Sequence, residues 1–438
     1  LGNHFESIDI MSRIQSVRAR SVWDSRGCPT IEAEVQLASG VVGRAIAPAG
    51  ASTGAGEAKE LRDGGTRFKG LGVSMAVRAV NEVIAPGLQG MDITDQAGID
   101  AAMCHLDGTP DKSRLGGNSL TAVSLACLWA ASRQADLPLW RYLSGSDEVG
   151  LPLPEIQIFG GGAHAKGSVD LQDFLAIPNG ANSFTQSLEW VAEVYHAAGK
   201  ALTQQGKNLG VADEGGFWPQ FGSNEGAIEA LVKAIEAAGF RPGRDVSIGL
   251  DLASTQYHDN GVYHWRSENR RFDRDQLLEL YTRWAHDYPI ISMEDGFAED
   301  DIEGMRAMTQ ALGHRLQIIG DDFFVTHAPR IQERATLGAC NAVLIKPNQV
   351  GTVTETQQAF DVAKKLHLDG IISARSGETE DVSIVHMAVG WGVPQLKVGS
   401  FSRSERMAKW NEGLRIEQDL GRCLAYPRTH LFPWLAKA

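Results

Sequence analysis

The chain has 438 residues, 43% of them hydrophobic and 22% charged. These are ordinary globular proportions, and they exclude disorder, collagen and coiled coil as the main architecture. The length allows one large domain and a smaller one. A formal charge of −13 argues against nucleic acid or an anionic membrane as the main partner. A small anionic substrate stays possible, because a few local cations or metal ions can reverse the field at a site.

No apolar run approaches the length of a membrane span. Residues 1–10 lack the basic and apolar regions of a signal peptide and read as an expression remnant outside the fold. The cysteines Cys28, Cys104, Cys127, Cys340 and Cys423 are widely spaced and form no CxxC pair. That pattern predicts a reduced, cytoplasmic setting.

In chain order, alternating apolar and polar residues over Arg13–Trp23 and Thr30–Leu37, then Val41–Ala47 after a Ser39-Gly40 turn, predict a β-meander. The Gly-, Ala- and Ser-rich segment Ala47–Ala58 is either a plain surface connection or a lid over a site. Apolar spacing of three and four predicts helices over Leu71–Pro86, Thr94–Leu106 and Asn118–Gln134. An α+β unit over 11–144 thus precedes a linker at Gly145–Pro154 and a second domain over 145–438.

Beyond the linker, short apolar strands end in polar residues and amphipathic helices follow. Asp251, Glu294, Asp321, Lys346, Ser373 and Lys397 mark six strand ends, the last five about 25 residues apart. One strand, one helix and two loops need about that length, so the rhythm predicts a (β/α) barrel. A doubly wound sheet is the alternative, but no crossover reversal is visible.

Barrel strands converge at their carboxyl ends, where active sites are built. Any one of Asp251, Glu294 and Asp321 is more simply a helix cap or a lysine partner. Three on successive strands point instead to a hard divalent cation, and oxygen-only donors favour Mg²⁺ over zinc. A lone lysine is usually a solvated charge, but Lys346 and Lys397 lie within apolar strands. Two clustered cations beside a metal depress each other's pKa, so one can be neutral near pH 7 and, beside Mg²⁺, take a proton from a carbon next to a carboxylate. Arg375-Ser376-Gly377 suits a phosphate or carboxylate. Glu214, in Asp213-Glu214-Gly215-Gly216, occupies a possible acid/base position. His164, after a glycine-rich turn, is a weak signal by itself.

Taken together, SVWDSRGCPTIEAEV, GASTGAGEA, GGAHA, VADEGGF, GLDLAS, SMEDGFAEDD, IGDDFFVT, LIKPNQVGTVTET, RSGETED and SRSERMAKWNEGLRIE resemble the enolase family over nearly the whole chain. The resemblance implies an N-terminal α+β cap on a modified (β/α)₈ barrel whose early strands are partly antiparallel. It also implies Mg²⁺-dependent dehydration of 2-phosphoglycerate to phosphoenolpyruvate in a homodimer or higher homo-oligomer. The family's Lys-plus-Mg²⁺ chemistry is a known pattern. By resemblance, Asp251, Glu294 and Asp321 match ligands of the first Mg²⁺. Ser52 matches a ligand of a second Mg²⁺, which the substrate completes. Lys346 matches the general base, Glu214 the general acid, Lys397 a carboxylate contact, and Arg375 with Ser376 the phosphate contacts. His164 and Asp173 match substrate-side residues.

The chain also departs from the family. Ala374 stands where enolases carry a histidine, and Asp173 where they carry a glutamate. Gly160, Gly296 and Pro347 replace the usual Asn, Pro and Leu. These changes fall mainly on the leaving-group side. They raise an alternative, an enolase-like carboxyphosphonoenolpyruvate synthase of phosphinothricin-type antibiotic biosynthesis. A third class, a non-catalytic scaffold, is opposed by intact Lys346, Lys397 and Glu214.

Overall fold

The computed structural model describes residues 10–51, 53–165, 168–421 and 426, 431, 432 and 435. Residues 1–9 and Ser52 lie outside the described residues.

The alternating segments form β1 (Ile14–Trp23), β2 (Pro29–Leu37) and β3 (Val42–Ile46), an antiparallel meander in that order. Central β2 buries Ile31, Ala33, Val35 and Leu37. Helix α1 (Gln96–Asp107) starts at Asp95, whose side chain accepts from the Gly98 amide. Helix α2 (Gly117–Gln134) lies on β2 and β3. It approaches so closely that a Cβ on Gly43 would stand 2.1 Å from the Ala126 carbonyl oxygen. The helix expected over Leu71–Pro86 is instead two α segments, Ser74–Ala79 and Ala85–Leu88, joined by a π turn at Val80–Ile84. The turn ends two residues before Pro86, which has no N–H to give to the helix ladder.

The barrel strands are β4 (Leu153–Gly160), β5 (Asp173–Ile177), β6 (Ser247–Asp251), β7 (Ile290–Glu294), β8 (Gln317–Gly320), β9 (Ala342–Ile345), β10 (Asp369–Ser373) and β11 (Gln395–Ser400). Neighbours in this order pair, and β11 pairs with β4 to close the ring. Closure excludes the doubly wound alternative. The strands from β6 to β11 run parallel, while β5 is antiparallel to both β4 and β6. Strand β4 begins inside the segment expected to be a linker.

Helices α3 (Phe184–Gln204) and α4 (Asn224–Ala237) precede β6, with a hairpin of Asn208–Val211 and Phe217–Pro219 between them. The regular crossovers are α5 (Arg274–Asp287), α6 (Ile302–Leu312), α7 (Ala328–Thr336), α8 (Val353–Lys365) and α9 (Ser383–Trp391), and α10 (Ser404–Leu420) follows the last strand. Ser183, Ser223, Asp273, Asp301 and Thr352 each cap a helix by accepting from a first-turn amide. A small meander before α5 buries Trp265, which stacks on Trp284 of that helix at 5.6 Å. Among the described residues no helix is long and apolar enough to cross a membrane.

Candidate active site at the barrel rim

Parallel pairing sets Glu294 beside Asp251 and Lys397 beside Ser373. Asp321 and Lys346 follow the last residues of β8 and β9. Because β5 runs the other way, it brings its first residue, Asp173, to this rim, opposite Asp251. His164 lies in the 3₁₀ turn Gly162–Ala165 before β5, and Glu214 in the turn of the hairpin. All these side chains are buried. One cavity is lined by Gly50, Ala51, His164, Asp173, Glu214, Asp251, Lys346, Ala374, Arg375, Ser376 and Lys397.

Glu294 and Asp321 reach the cluster through the lysines. Lys397 Nζ donates to Asp251 Oδ2 at 2.8 Å and Glu294 Oε2 at 2.7 Å, and lies 3.6 Å from Asp173 Oδ2. Lys346 Nζ donates to Asp321 Oδ2. Both lysines are thus paired with carboxylates in this structure. Burial opposes charge on Lys346, but Asp321 outweighs it and the pKa is raised. For Lys397, burial is likewise overcome by Asp251 and Glu294, and the pKa stands well above its usual value. For Lys346 the neighbouring carboxylate Asp321 thus counts for more than the repulsion from Lys397. Glu294 shows the opposite strain: burial, then the charge of Asp251, pushes its carboxyl well above the usual range. Asp251 and Glu294 thus aim oxygens at one shared cationic centre, now an ammonium. Their donors are all oxygen, as a hard divalent cation requires, but Asp321 pairs with Lys346 and its oxygens group with those of Asp295 and Asp322 rather than with those of Asp251 and Glu294.

Several site residues escaped the sequence reading. Glu57 grips Arg375, with Oε2 3.0 Å from Nη1 and Oε1 3.2 Å from Nη2, and Asn348 Oδ1 accepts from the same guanidinium at 3.0 Å. Gln349 Nε2 donates to Asp321 Oδ1 at 2.9 Å, and Gln172 Nε2 to Asp251 Oδ2 at 3.0 Å. Asp295 accepts from the amides of Asp321 and Asp322 at 2.9 and 2.8 Å. With Asp321 and Asp322 it forms a second acidic group, whose oxygens lie within 4.8 Å of one another. The adjoining Glu-Asp and Asp-Asp pairs were the available signal for Asp295 and Asp322. Glu57 had none, being remote in sequence from its arginine.

The glycine-rich loop is a docked cover. Ala49 and Gly377 exchange backbone hydrogen bonds at 2.8 Å, the Ala51 amide donates to Ser376 Oγ at 2.7 Å, and the Ala58 amide to the Gln349 carbonyl at 2.7 Å. Opposite the lysines, His164 Nδ1 is 3.2 Å from Asp173 Oδ1, and His164 Nε2 is 3.8 Å from Glu214 Oε1. Gln157 donates to the same Asp173 oxygen and accepts from the Gly216 amide at 2.8 Å.

Closed eight-stranded barrel, covering loop and a rim of paired acids and bases together define a barrel enzyme with an acid–base pocket. Residues 148–432 match the family model described as "Enolase, C-terminal TIM barrel domain", and residues 14–143 match "Enolase, N-terminal domain". The chain is 48% identical over 423 residues to "Enolase 1" of Desulfitobacterium hafniense (strain Y51), covering 96% of this chain and 97% of that one. The chain belongs to the enolase family and is accordingly a carbon–oxygen lyase.

Proposed function

We propose that the protein is an Mg²⁺-dependent enolase that dehydrates 2-phosphoglycerate to phosphoenolpyruvate. The convergence of Lys346, Lys397 and three strand-end carboxylates on one face, with Glu214 on the other, carries this reading. Asp251, Glu294 and Asp321 would hold the first Mg²⁺, and Ser52 with the substrate the second. When bound, the metal supplies stabilisation of the charge that develops on the substrate carboxylate.

Arg375 and Ser376 hold the phosphate, and Lys397 the carboxylate. Lys346 removes the proton at C2. Asp321, when engaged as a metal ligand, is no longer free to pair with Lys346, and burial then favours the neutral amine. Glu214 gives a proton to the hydroxide leaving C3. The proposed division of labour sets residues 11–144 as the cap and 145–438 as the catalytic barrel. The protein would act in the cytoplasm as a homodimer or higher homo-oligomer.

Formation of phosphoenolpyruvate from 2-phosphoglycerate on addition of Mg²⁺ tests the reading, and no product overturns it. Mg²⁺ at 100 times its dissociation constant should add about 2.7 kcal/mol of stability, read as a rise in melting temperature. Asp251→Asn should remove most of that rise. An undiminished rise in the variant would place the metal elsewhere.

A second reading draws support from Ala374, whose methyl lines the cavity where the family has an imidazole. The room left there suits a substrate with an additional anionic group, as in a carboxyphosphonoenolpyruvate synthase. Turnover of 2-phosphoglycerate and of phosphonate-bearing substrates, measured side by side, decides between them. Ordinary enolase rates with 2-phosphoglycerate exclude the second.

A further inference from the structure

One layer beneath the rim, inside the barrel, lies an acid that the proposed reaction leaves unused. Strand β4 turns Glu155 and Gln157 to the same face, as residues two apart do. Gln157 reaches the rim, where it meets Asp173 and the Gly216 amide. Glu155 therefore lies about 6–7 Å further down the strand, below the cavity and not on its wall. It pairs in register with Lys397 of β11 and is fully buried.

Only one of its two oxygens is satisfied. Oε1 accepts from Gln395 Nε2. That amide is locked to Gln317 of β8 by a reciprocal pair of hydrogen bonds, at 3.1 and 2.7 Å. Gln317 Nε2 in turn reaches Asp369 Oδ2 of β10 at 3.3 Å. Oε2 has no hydrogen-bond partner among the described residues. A buried carboxyl with an unpartnered oxygen is best accommodated as the neutral acid. The charges that face it are Lys397 from β11 and Asp251 from β6, of opposite sign. Burial outweighs the pull of Lys397 and Gln395 and pushes the pKa up to about 7.

We propose that Glu155 is a buried counter-charge for the cation site, which releases its proton when a divalent cation joins Asp251 and Glu294. The proposal rests on the function proposed above and adds a positioning residue, one that touches neither substrate nor cation. In the cation-free structure Asp251 and Glu294 both face the Lys397 ammonium. A cation on the same oxygens leaves that ammonium less compensated and adds two positive charges above Glu155. Both changes favour the carboxylate. The O–H bond of Glu155 breaks, its electron pair stays on oxygen and the proton goes to solvent. The ionised acid then helps to keep Lys397 charged for the substrate carboxylate.

The coupling is reciprocal: each unit by which the cation lowers this pKa is a tenfold gain in cation affinity for the ionised form. Glu155→Gln keeps the acceptor for Gln395 and cannot ionise. With Mg²⁺ alone as the probe, the two proteins should bind within about threefold of each other near about pH 5, whereas near about pH 8.5 the variant should bind about tenfold or more weakly. The rim carboxylates are common to both proteins and cancel in the ratio. Near about pH 6.5, saturating Mg²⁺ should release about half a proton or more from wild type beyond what the variant releases. A merely structural role would weaken the variant by one factor at every pH, and that outcome, or equal proton release, overturns the proposal. Metal-free unfolding gives a second check. A pKa raised by folding means that the folded state holds the proton more tightly. Wild type should therefore lose stability relative to Glu155→Gln as pH rises from about 5 to about 8, and a constant difference would overturn the neutral buried acid. Wild type that shows neither a melting shift nor proton release with Mg²⁺ would overturn the metal reading of the whole site, a distinct outcome that removes the counter-charge with it.

Discussion

Lys346→Ala should abolish exchange of the C2 proton of 2-phosphoglycerate with solvent. Positioned proton transfer contributes about 10²–10⁴-fold, and this amine has no substitute nearby, since Lys397 is assigned to the substrate carboxylate. Binding should suffer much less, because Arg375 and Ser376 are untouched. Exchange measured by NMR in D₂O with Mg²⁺ present is the direct readout. Exchange at the wild-type rate would assign the base elsewhere.

The second large effect is expected at Glu57. Its carboxylate clamps the Arg375 guanidinium, and both side chains are buried. Burial alone would disfavour the charged arginine, yet Glu57 reverses the balance and raises its pKa. Glu57→Ala removes the carboxylate that clamps that buried cation, a loss of about 3–5 kcal/mol when a buried pair is broken from one side. The same change frees the covering loop from the arginine assigned to phosphate, so KM should rise. Urea unfolding followed by tryptophan fluorescence checks the first consequence, and steady-state kinetics the second. Glu57→Gln, which keeps an acceptor for Arg375, should cost less than Glu57→Ala. Equal stability of wild type and the alanine variant would show that water replaces the clamp.

The parallel half of the barrel was legible because each strand ends on a charged or hydroxyl residue after an apolar run. Asp251, Glu294, Asp321, Lys346 and Ser373 sit at or just past strand ends as that rule has it, whereas Lys397 is level with Ser373 but its strand runs on to Ser400. The rule fails at Asp173, which begins an antiparallel strand and reaches the same rim from its amino end. Only the resemblance singled it out. Glu57 was invisible because its partner is 318 positions away and nothing local marks a glutamate in a glycine-rich loop as an arginine clamp. The pairing of each lysine with a carboxylate was hidden for a related reason. Mutual repulsion between cations was foreseeable from the strand ends, but which carboxylate oxygen each ammonium would touch depends on side-chain geometry. The π turn before Pro86 likewise needed the packed helix, since the apolar spacing on both sides of it is ordinary.

The pairing of β11 with β4 sets a schedule for synthesis. Gln395 meets Glu155, which precedes it by 240 positions. A ribosome adding about 5–20 residues per second needs about 12–50 s to cover that interval. Throughout it, the edge of β4 that β11 will cover faces outward from an unfinished nascent chain, and such an edge invites pairing with other chains. Lys397 arrives on that same late strand, so the pocket comes into being as the ring shuts. A translation product that stops short of β11 would carry nearly every other pocket residue and still have an open sheet edge in place of a site.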